Sequence, residues 1–167
     1  SNMDLRMAIQ VIDNFLDKDE FDKIKTVMMG DYFPWFYCDY VSHKDEKDKF
    51  YFNHNFYKDS KPQSSFFNIL DNLLTKLEIK SLIRVKGNLQ VRANKMTYNN
   101  FHTDLPFKHK GCILYINNNN GFTYFKESDK KVKPKENRVV LFDPSIEHKS
   151  SRCSDSKIRV NININYF

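Results

Sequence analysis

The chain has 167 residues, enough for one domain with a sizeable core and too few for two. Fifteen Phe, nine Tyr and one Trp, against four Gly and five Pro, exclude a low-complexity or fibrous protein, and a formal charge of +6 leaves an acidic partner such as nucleic acid to be weighed. The three cysteines Cys38, Cys112 and Cys153 are odd in number and form no C-x-x-C pair, which fits a reducing compartment better than a disulfide scaffold, and no apolar run approaches the ~18 residues of a membrane span.

In chain order, Ser1-Asn2 before Met3 reads as an expression remnant. Ala8 to Ile12 predicts a short strand, and Asp13-Asn14 turns the chain into a helix with Phe21, Ile24, Val27 and Met28 on one face. Gly30 is placed to end that helix in the left-handed conformation. The aromatic run 32–37 follows. Most of it is core material, but Trp35, in a connecting segment beside Pro34, is a candidate wall of a substrate groove. Ser42 to Lys49 is a charge cluster and reads as a solvated loop, with His43 on the surface.

Phe50 to Phe52 and Phe56-Tyr57 are strand material, broken by Asn53-His54-Asn55. Pro62 to Ser65 opens a second helix carrying Phe66, Leu70, Leu73, Leu74 and Leu77 on one face. Beyond residue 81 the period changes to two: Leu89, Val91 and Ala93 alternate with polar residues, and further short strands are expected at 111–116, 122–125, 131–133, 138–142 and 157–166. Many short strands separated by turns such as Asn117 to Gly121 indicate an antiparallel sandwich or jelly roll.

The last strand sorts its side chains into two faces. Val160, Ile162, Ile164 and Tyr166 fall on one, and Arg159, Asn161, Asn163 and Asn165 on the other. If the helices cover the apolar face, the polar face lines an internal pocket, and its groups need partners there. A ligand with carboxylates supplies them.

Phe101-His102-Thr103-Asp104 places an imidazole and a carboxylate at i and i+2 of what reads as a strand end, on one face. His148 follows the strand Arg138 to Phe142 and adds a second imidazole from across the fold. Two His and one carboxylate on one face of an octahedron leave positions open, the ligand set of non-haem Fe(II) oxygenases. Arg159 stands 159−148 = 11 residues after His148, enough for a turn and a return strand beside the first, a hairpin that holds a guanidinium over the same cavity.

His102-x-Asp104, His148 and Arg159, in this order, resemble the Fe(II)- and 2-oxoglutarate-dependent dioxygenases, and within them the prolyl-hydroxylase-like branch. The resemblance covers roughly residues 85–167. Gly111 to Asn117 is similar to the family's strand after the His-x-Asp, and Gly121 to Phe125 to the glycine-led strand that follows. The resemblance implies a double-stranded β-helix (cupin-like jelly roll), mainly β with N-terminal helices, in a single domain over 1–167, with helical support at about 14–80 and the β-helix at about 82–167. It implies that His102, Asp104 and His148 hold Fe(II), and that Arg159 and Tyr115 bind the distal carboxylate of 2-oxoglutarate. Asn161 is expected to bind a water or a cosubstrate oxygen, and Tyr98 joins Trp35 as a candidate substrate contact. Dioxygen is then the co-reactant and ascorbate a stimulatory reductant. The expected reaction is hydroxylation of a C–H bond in a peptide or small molecule, prolyl or another amino-acid side chain, in the cytoplasm, with succinate and CO2 released.

Two alternatives stand beside this. One is demethylation of a nucleic acid or modified base. The superfamily's nucleic-acid demethylases carry Arg-x-Asn-x-Thr-x-Arg on the last strand, whereas this chain has Asn at 163 and 165, and its lysines are scattered among acidic residues. The other is a non-catalytic binding module on the same fold, which the retention of two His, Asp, Tyr and Arg disfavours. His54 and His109 have no partner at a telling spacing and read as surface or structural residues.

Overall fold

The computed structural model describes residues 8–167, so the Ser1-Asn2 remnant lies outside the described residues. Strand β1 (Gln10–Ile12) leads through Asn14, which has a positive φ of 51°, to helix α1 (Lys18–Met28). Asp19 and Glu20 in its first turn and Lys25 in its last complement the helix dipole. Phe21, Ile24 and Met28 form its buried stripe. Gly30 does not take the expected left-handed conformation. It is required for close approach instead, since a Cβ there would lie 2.8 Å from the Thr26 carbonyl oxygen.

Strands β2 (Phe36–Cys38), β3 (Tyr51–Lys58) and β4 (Lys61–Pro62) come next, so the region expected as helical support also contributes to the sheet. Asn53-His54-Asn55 does not break β3. These residues pair with 88, 87 and 86 of β5 (Leu82–Val91), and the ladder outweighs the poor strand propensity of Asn. The second helix starts later than its proline suggests: Pro62 belongs to β4, a 3-10 turn spans Phe67–Leu70, and α2 covers only Asp71–Lys76.

The remaining strands are β6 (Lys110–Tyr115), β7 (Thr123–Phe125), β8 (Lys130–Val132), β9 (Val139–Phe142), β10 (His148–Ser150) and β11 (Ile158–Tyr166). They build two sheets. The larger has the order β1-β9-β6-β11-β5-β3-β2, with β4 beside β3; the smaller has the order β10-β7-β8. Among the described residues every named strand pair is antiparallel. The architecture is the expected double-stranded β-helix, with its two sheets left open rather than closed into a continuous barrel.

The alternation of β11 decides what each face of the large sheet does. Val160, Ile162 and Ile164 are almost fully buried in a core shared with Phe21, Ile24, Met28, Leu70 and Leu73 of the helical layer. Each such side chain is worth about 1.5–3 kcal/mol of transfer free energy, an upper bound on its contribution. Gly87 lets the helix approach: a Cβ there would meet Met28 Cε at 3.1 Å. A second apolar cluster, with Ile113, Tyr115, Phe125, Val132, Val140 and Phe142, lies between the two sheets. Beside it the polar residues of β11, β5 and β3 face a cavity.

Candidate metal centre

His102 is not in a regular strand. It forms an isolated bridge with His148, each backbone N–H donating to the other's carbonyl, at 2.9 and 3.0 Å. Directly opposed residues of an antiparallel pair project to one face, and the two imidazole centroids are 4.5 Å apart. The Asp104 N–H donates to the Pro144 carbonyl at 2.9 Å, which holds the loop so that the carboxylate turns back toward both rings. Asp104 Oδ1 lies 3.4 Å from His102 Nε2 and 3.2 Å from His148 Nε2. One ligand atom from each residue falls within 4.8 Å of the others.

The hydrogen bonds around this trio define which lone pairs are free. His148 Nδ1 lies 2.8 Å from the Ile146 carbonyl, which can only accept, so Nδ1 carries the proton and Nε2 presents a lone pair. His102 Nδ1 faces the Asn100 carbonyl in the same sense at 3.4 Å. Two imidazole nitrogens and a carboxylate oxygen then converge on one point, an arrangement that repels itself unless a cation sits there, either protons shared with Asp104 or a metal ion. Burial pushes the Asp104 carboxyl up, but hydrogen bonds and charge from His102 and His148 more than offset this and hold it well below the usual carboxylate range. Burial alone would lower His148; Asp104 outweighs it and raises the imidazole. The donor set fits a divalent metal with nitrogen and oxygen ligands and open positions.

The other carboxylate oxygen is already occupied. Asp104 Oδ2 accepts from Asn163 Nδ2 at 3.1 Å and Asn165 Nδ2 at 2.9 Å, leaving Oδ1 to face the imidazoles. Asn165 is fully buried, and its Nδ2 also donates to Nε2 of buried His109, whose Nδ1–H donates to the Phe107 carbonyl. Sequence reading treats Asn165 only as a missing arginine and His109 as unassigned; both orient the carboxylate. The available signal was the shared face of residues 159, 161, 163 and 165 on β11.

Arg159 begins that face. It is 3% exposed, no carboxylate among the described residues pairs with it, its Nε has no hydrogen-bond partner, and its one bond is a long 3.4 Å contact from Nη2 to Thr123 Oγ1. The Tyr115 ring centroid is 5.9 Å from the guanidinium carbon, and the Tyr115 hydroxyl is 2.7 Å from Thr123 Oγ1. Tyr115 and Arg159 are thus linked through Thr123, which the sequence reading passed over. Burial lowers the Arg159 pKa and raises that of Tyr115, whose hydroxyl stays protonated. The expected hairpin is absent: His148 is in the small sheet and Arg159 in the large one, so the connection crosses between sheets and brings the two together from opposite walls.

A cavity of about 510 Å³ joins these parts, lined by His102, Asp104, His148, Arg159 and Asn161. Asn161 Oδ1 accepts from Asn88 Nδ2 at 3.0 Å. Among the described residues, four of the five orphaned buried polar side-chain atoms, on Ser42, Gln90, Arg159 and Asn163, belong to residues lining it. Buried polar atoms without partners are uncommon and here share one void, as expected of a site for polar ligands.

The remaining residues singled out lie elsewhere. Trp35 packs edge-on against Phe33 and lies close to Gly87, on the helix-covered face of the sheet, so it is core rather than a groove wall. Tyr98 is 43% exposed, stacks edge-on with Phe122 and lies under Lys149, outside the cavity lining. The 42–49 segment is more ordered than its charge implies, because the Glu46 carboxylate accepts from the N–H groups of Val41, Ser42 and His43; exposed His43 lies at the cavity's edge. His54 is buried and structural, bonded to the Pro34 carbonyl and Ser64 Oγ. No helix of the described residues is long and apolar enough to cross a membrane.

No protein-family model and no curated protein matches the chain by sequence. Solved structures do match it by fold. A 2OG-Fe(II) oxygenase-family oxidoreductase from Burkholderia pseudomallei superposes with a TM-score of 0.68 at 10% identity, covering 95% of this chain and 84% of that one. A viral collagen prolyl hydroxylase from Paramecium Bursaria Chlorella virus-1, solved with 2OG, gives 0.61 at 13% identity, covering 94% and 93%. A prolyl hydroxylase from Trichoplax adhaerens, in complex with a hypoxia inducible factor oxygen degradation domain peptide fragment, gives 0.62 at 12% identity, covering 95% and 83%. The chain has the double-stranded β-helix fold these oxygenases share.

Proposed function

We propose that this chain is an Fe(II)- and 2-oxoglutarate-dependent oxygenase that hydroxylates a C–H bond, working as one domain over 1–167. The observation that carries the reading is Arg159: a buried guanidinium with no counter-charge, in the same cavity as three converging metal-ligand lone pairs. A folded protein retains an unpaired buried cation at a cost, and a ligand carboxylate offsets that cost. The shared fold supports the reading.

In it, His102, Asp104 and His148 hold the iron, and Arg159 grips the distal carboxylate of 2-oxoglutarate with two parallel N–H donors. The Thr123 hydroxyl, bonded to Tyr115, lies beside the same carboxylate, and Asn161 presents its amide to the cosubstrate or to a water. With dioxygen, the bound iron and cosubstrate supply oxidative decarboxylation of 2-oxoglutarate to succinate and CO2, one oxygen atom entering succinate and the other a substrate C–H bond. The residues contribute orientation: Asn163 and Asn165 hold the iron's carboxylate by one oxygen, and the backbone bridge 102–148 fixes the angle between imidazoles. A peptide is the substrate class this reading takes, supported by the peptide complex of the Trichoplax adhaerens protein of similar fold.

The test is an anaerobic titration of 2-oxoglutarate into Fe(II)-loaded protein, followed by the metal-to-cosubstrate absorbance. A saturable band at one equivalent is expected, lost in His102→Ala/His148→Ala and weakened in Arg159→Ala. No band in the wild-type protein would overturn the reading.

A further inference from the structure

The oxygenase reading uses one cation of the cavity and leaves four. Lys58, Arg84, Lys86 and Lys149 also line it, and among the described residues no carboxylate pairs with any of them. Among the described residues Asp104 is the only acidic residue of the lining, and its two oxygens already face His102 and His148 on one side and Asn163 and Asn165 on the other.

Strand register locates Arg84 and Lys86 relative to the metal centre. Asn163 of β11 is opposite Lys86 of β5, and Asn165 is opposite Arg84. Lys86 is in turn opposite Asn55 of β3. Arg84 Nε donates to Asn165 Oδ1 at 3.3 Å, and Asn165 Nδ2 donates to Asp104, so the guanidinium is two hydrogen bonds from the ligand carboxylate. Lys86 Nζ donates to the hydroxyl of buried Tyr51 at 3.1 Å, which aims the ammonium along the cavity wall. Both cations are half-buried, and Asn163 Oδ1 beside them has no partner at all.

Arg84 and Lys86 do not belong to the cosubstrate clamp. Lys86 is opposite Asn163, four residues along β11 from Arg159 or ~13 Å along a strand, so the two cations enter the cavity at a different level from the Arg159 guanidinium. We propose that Arg84 and Lys86 form an anion subsite for the substrate, so that the substrate of this oxygenase carries a phosphate or carboxylate group held one strand away from the metal's Asp104. Asn53, Asn55 and Asn88 face the same cavity and offer both donors and acceptors to the polar groups around that anion. A neutral, apolar side chain entering here would leave both cations unmatched. The proposal rests on the oxygenase reading for the word substrate; the anion subsite itself rests on geometry alone.

The test uses 15N-labelled protein loaded with diamagnetic Zn(II) and saturated with 2-oxoglutarate, and follows the arginine Nε–Hε resonances as inorganic phosphate or acetate is added at constant ionic strength. 2-Oxoglutarate alone should move the Arg159 resonance. Phosphate or acetate should then move Arg84 saturably, the tighter of the two identifying the anion, and Lys86→Gln should weaken that response about tenfold, the loss of one charged hydrogen bond. An Arg84 resonance unmoved by both anions overturns the subsite and leaves the oxygenase reading intact. Movement of Arg84 by 2-oxoglutarate itself also overturns it, since the cations would then serve the cosubstrate. Failure of 2-oxoglutarate to move Arg159 counts against the oxygenase reading, while the Arg84 response still decides the anion subsite.

Discussion

Replacing Arg159 by methionine should raise the stability of the ligand-free protein and abolish tight cosubstrate binding at once. The side chain is 3% exposed, unpaired at Nε and held by one 3.4 Å contact, so in the absence of ligand it is a cation whose desolvation nothing repays. Exchanging buried charge for an apolar chain of similar length is often stabilising by about 1–4 kcal/mol. Water in the adjoining cavity discounts this, and ~1–2 kcal/mol is expected, a rise of ~2–8 °C in Tm for a chain of this length. The same change removes both donors from the distal carboxylate, a loss of ~2–5 kcal/mol, or roughly thirtyfold to several thousandfold in affinity. Thermal melts of metal-free protein, and of protein with Mn(II) and saturating 2-oxoglutarate, read both effects. The wild type should gain Tm on adding cosubstrate and Arg159→Met should not. A ligand-free Arg159→Met protein that melts far below wild type would refute the reasoning, because the arginine would then be a structural partner.

Gly121→Ala should weaken 2-oxoglutarate about tenfold with little effect on metal binding, because a Cβ at 121 would lie 3.0 Å from Arg159 Cδ and Nε and 2.9 Å from Asn119 Oδ1, displacing the guanidinium from bidentate geometry; isothermal titration checks it. Asn163→Ala removes one of two donors to Asp104 Oδ2 and should cost about tenfold in Zn(II) affinity by chelator competition, with 2-oxoglutarate affinity following only through the metal. Burial of His54 lowers its pKa although the Pro34 carbonyl partly opposes this, so the unfolded chain binds its proton first. Stability should therefore be unaffected by this group above ~pH 6.5 and fall as pH drops below that toward the folded value; His54→Gln should flatten that part of a urea-midpoint profile against pH.

The parts of the site legible in the sequence were those whose chemistry sits in the residue type. His102, Asp104 and His148 are ligand types at a telling spacing, and the strict alternation of β11 showed which side chains would share a wall with Arg159. What escaped depended on tertiary pairing. Asn165 looked like the loss of an arginine, yet its amide ties Asp104 to His109, a role that no spacing along one strand reveals. Thr123 is an ordinary strand residue until Tyr115 and Arg159 arrive on either side of it. Local rules misled where long-range contacts outweighed them: the Asn-His-Asn of β3 stays in its ladder with β5, and Gly30 answers to the Thr26 carbonyl rather than to a left-handed turn. Trp35, conspicuous as the single tryptophan, is half-buried against Phe33 on the face away from the cavity. The His148–Arg159 spacing suggested a hairpin and instead spans two sheets, because eleven residues suffice for a crossover as well as for a turn.

The central claim is tested most directly by following 2-oxoglutarate itself. Purified protein with Fe(II), dioxygen and ascorbate should convert 2-oxoglutarate to equimolar succinate and CO2, slowly without substrate and faster when an anionic substrate fills the cavity, while Asp104→Ala and Arg159→Ala remain at the background rate. Succinate formation in the wild type no greater than in Asp104→Ala, with the metal and 2-oxoglutarate both shown to be bound, would contradict the account and leave the fold as a binding module.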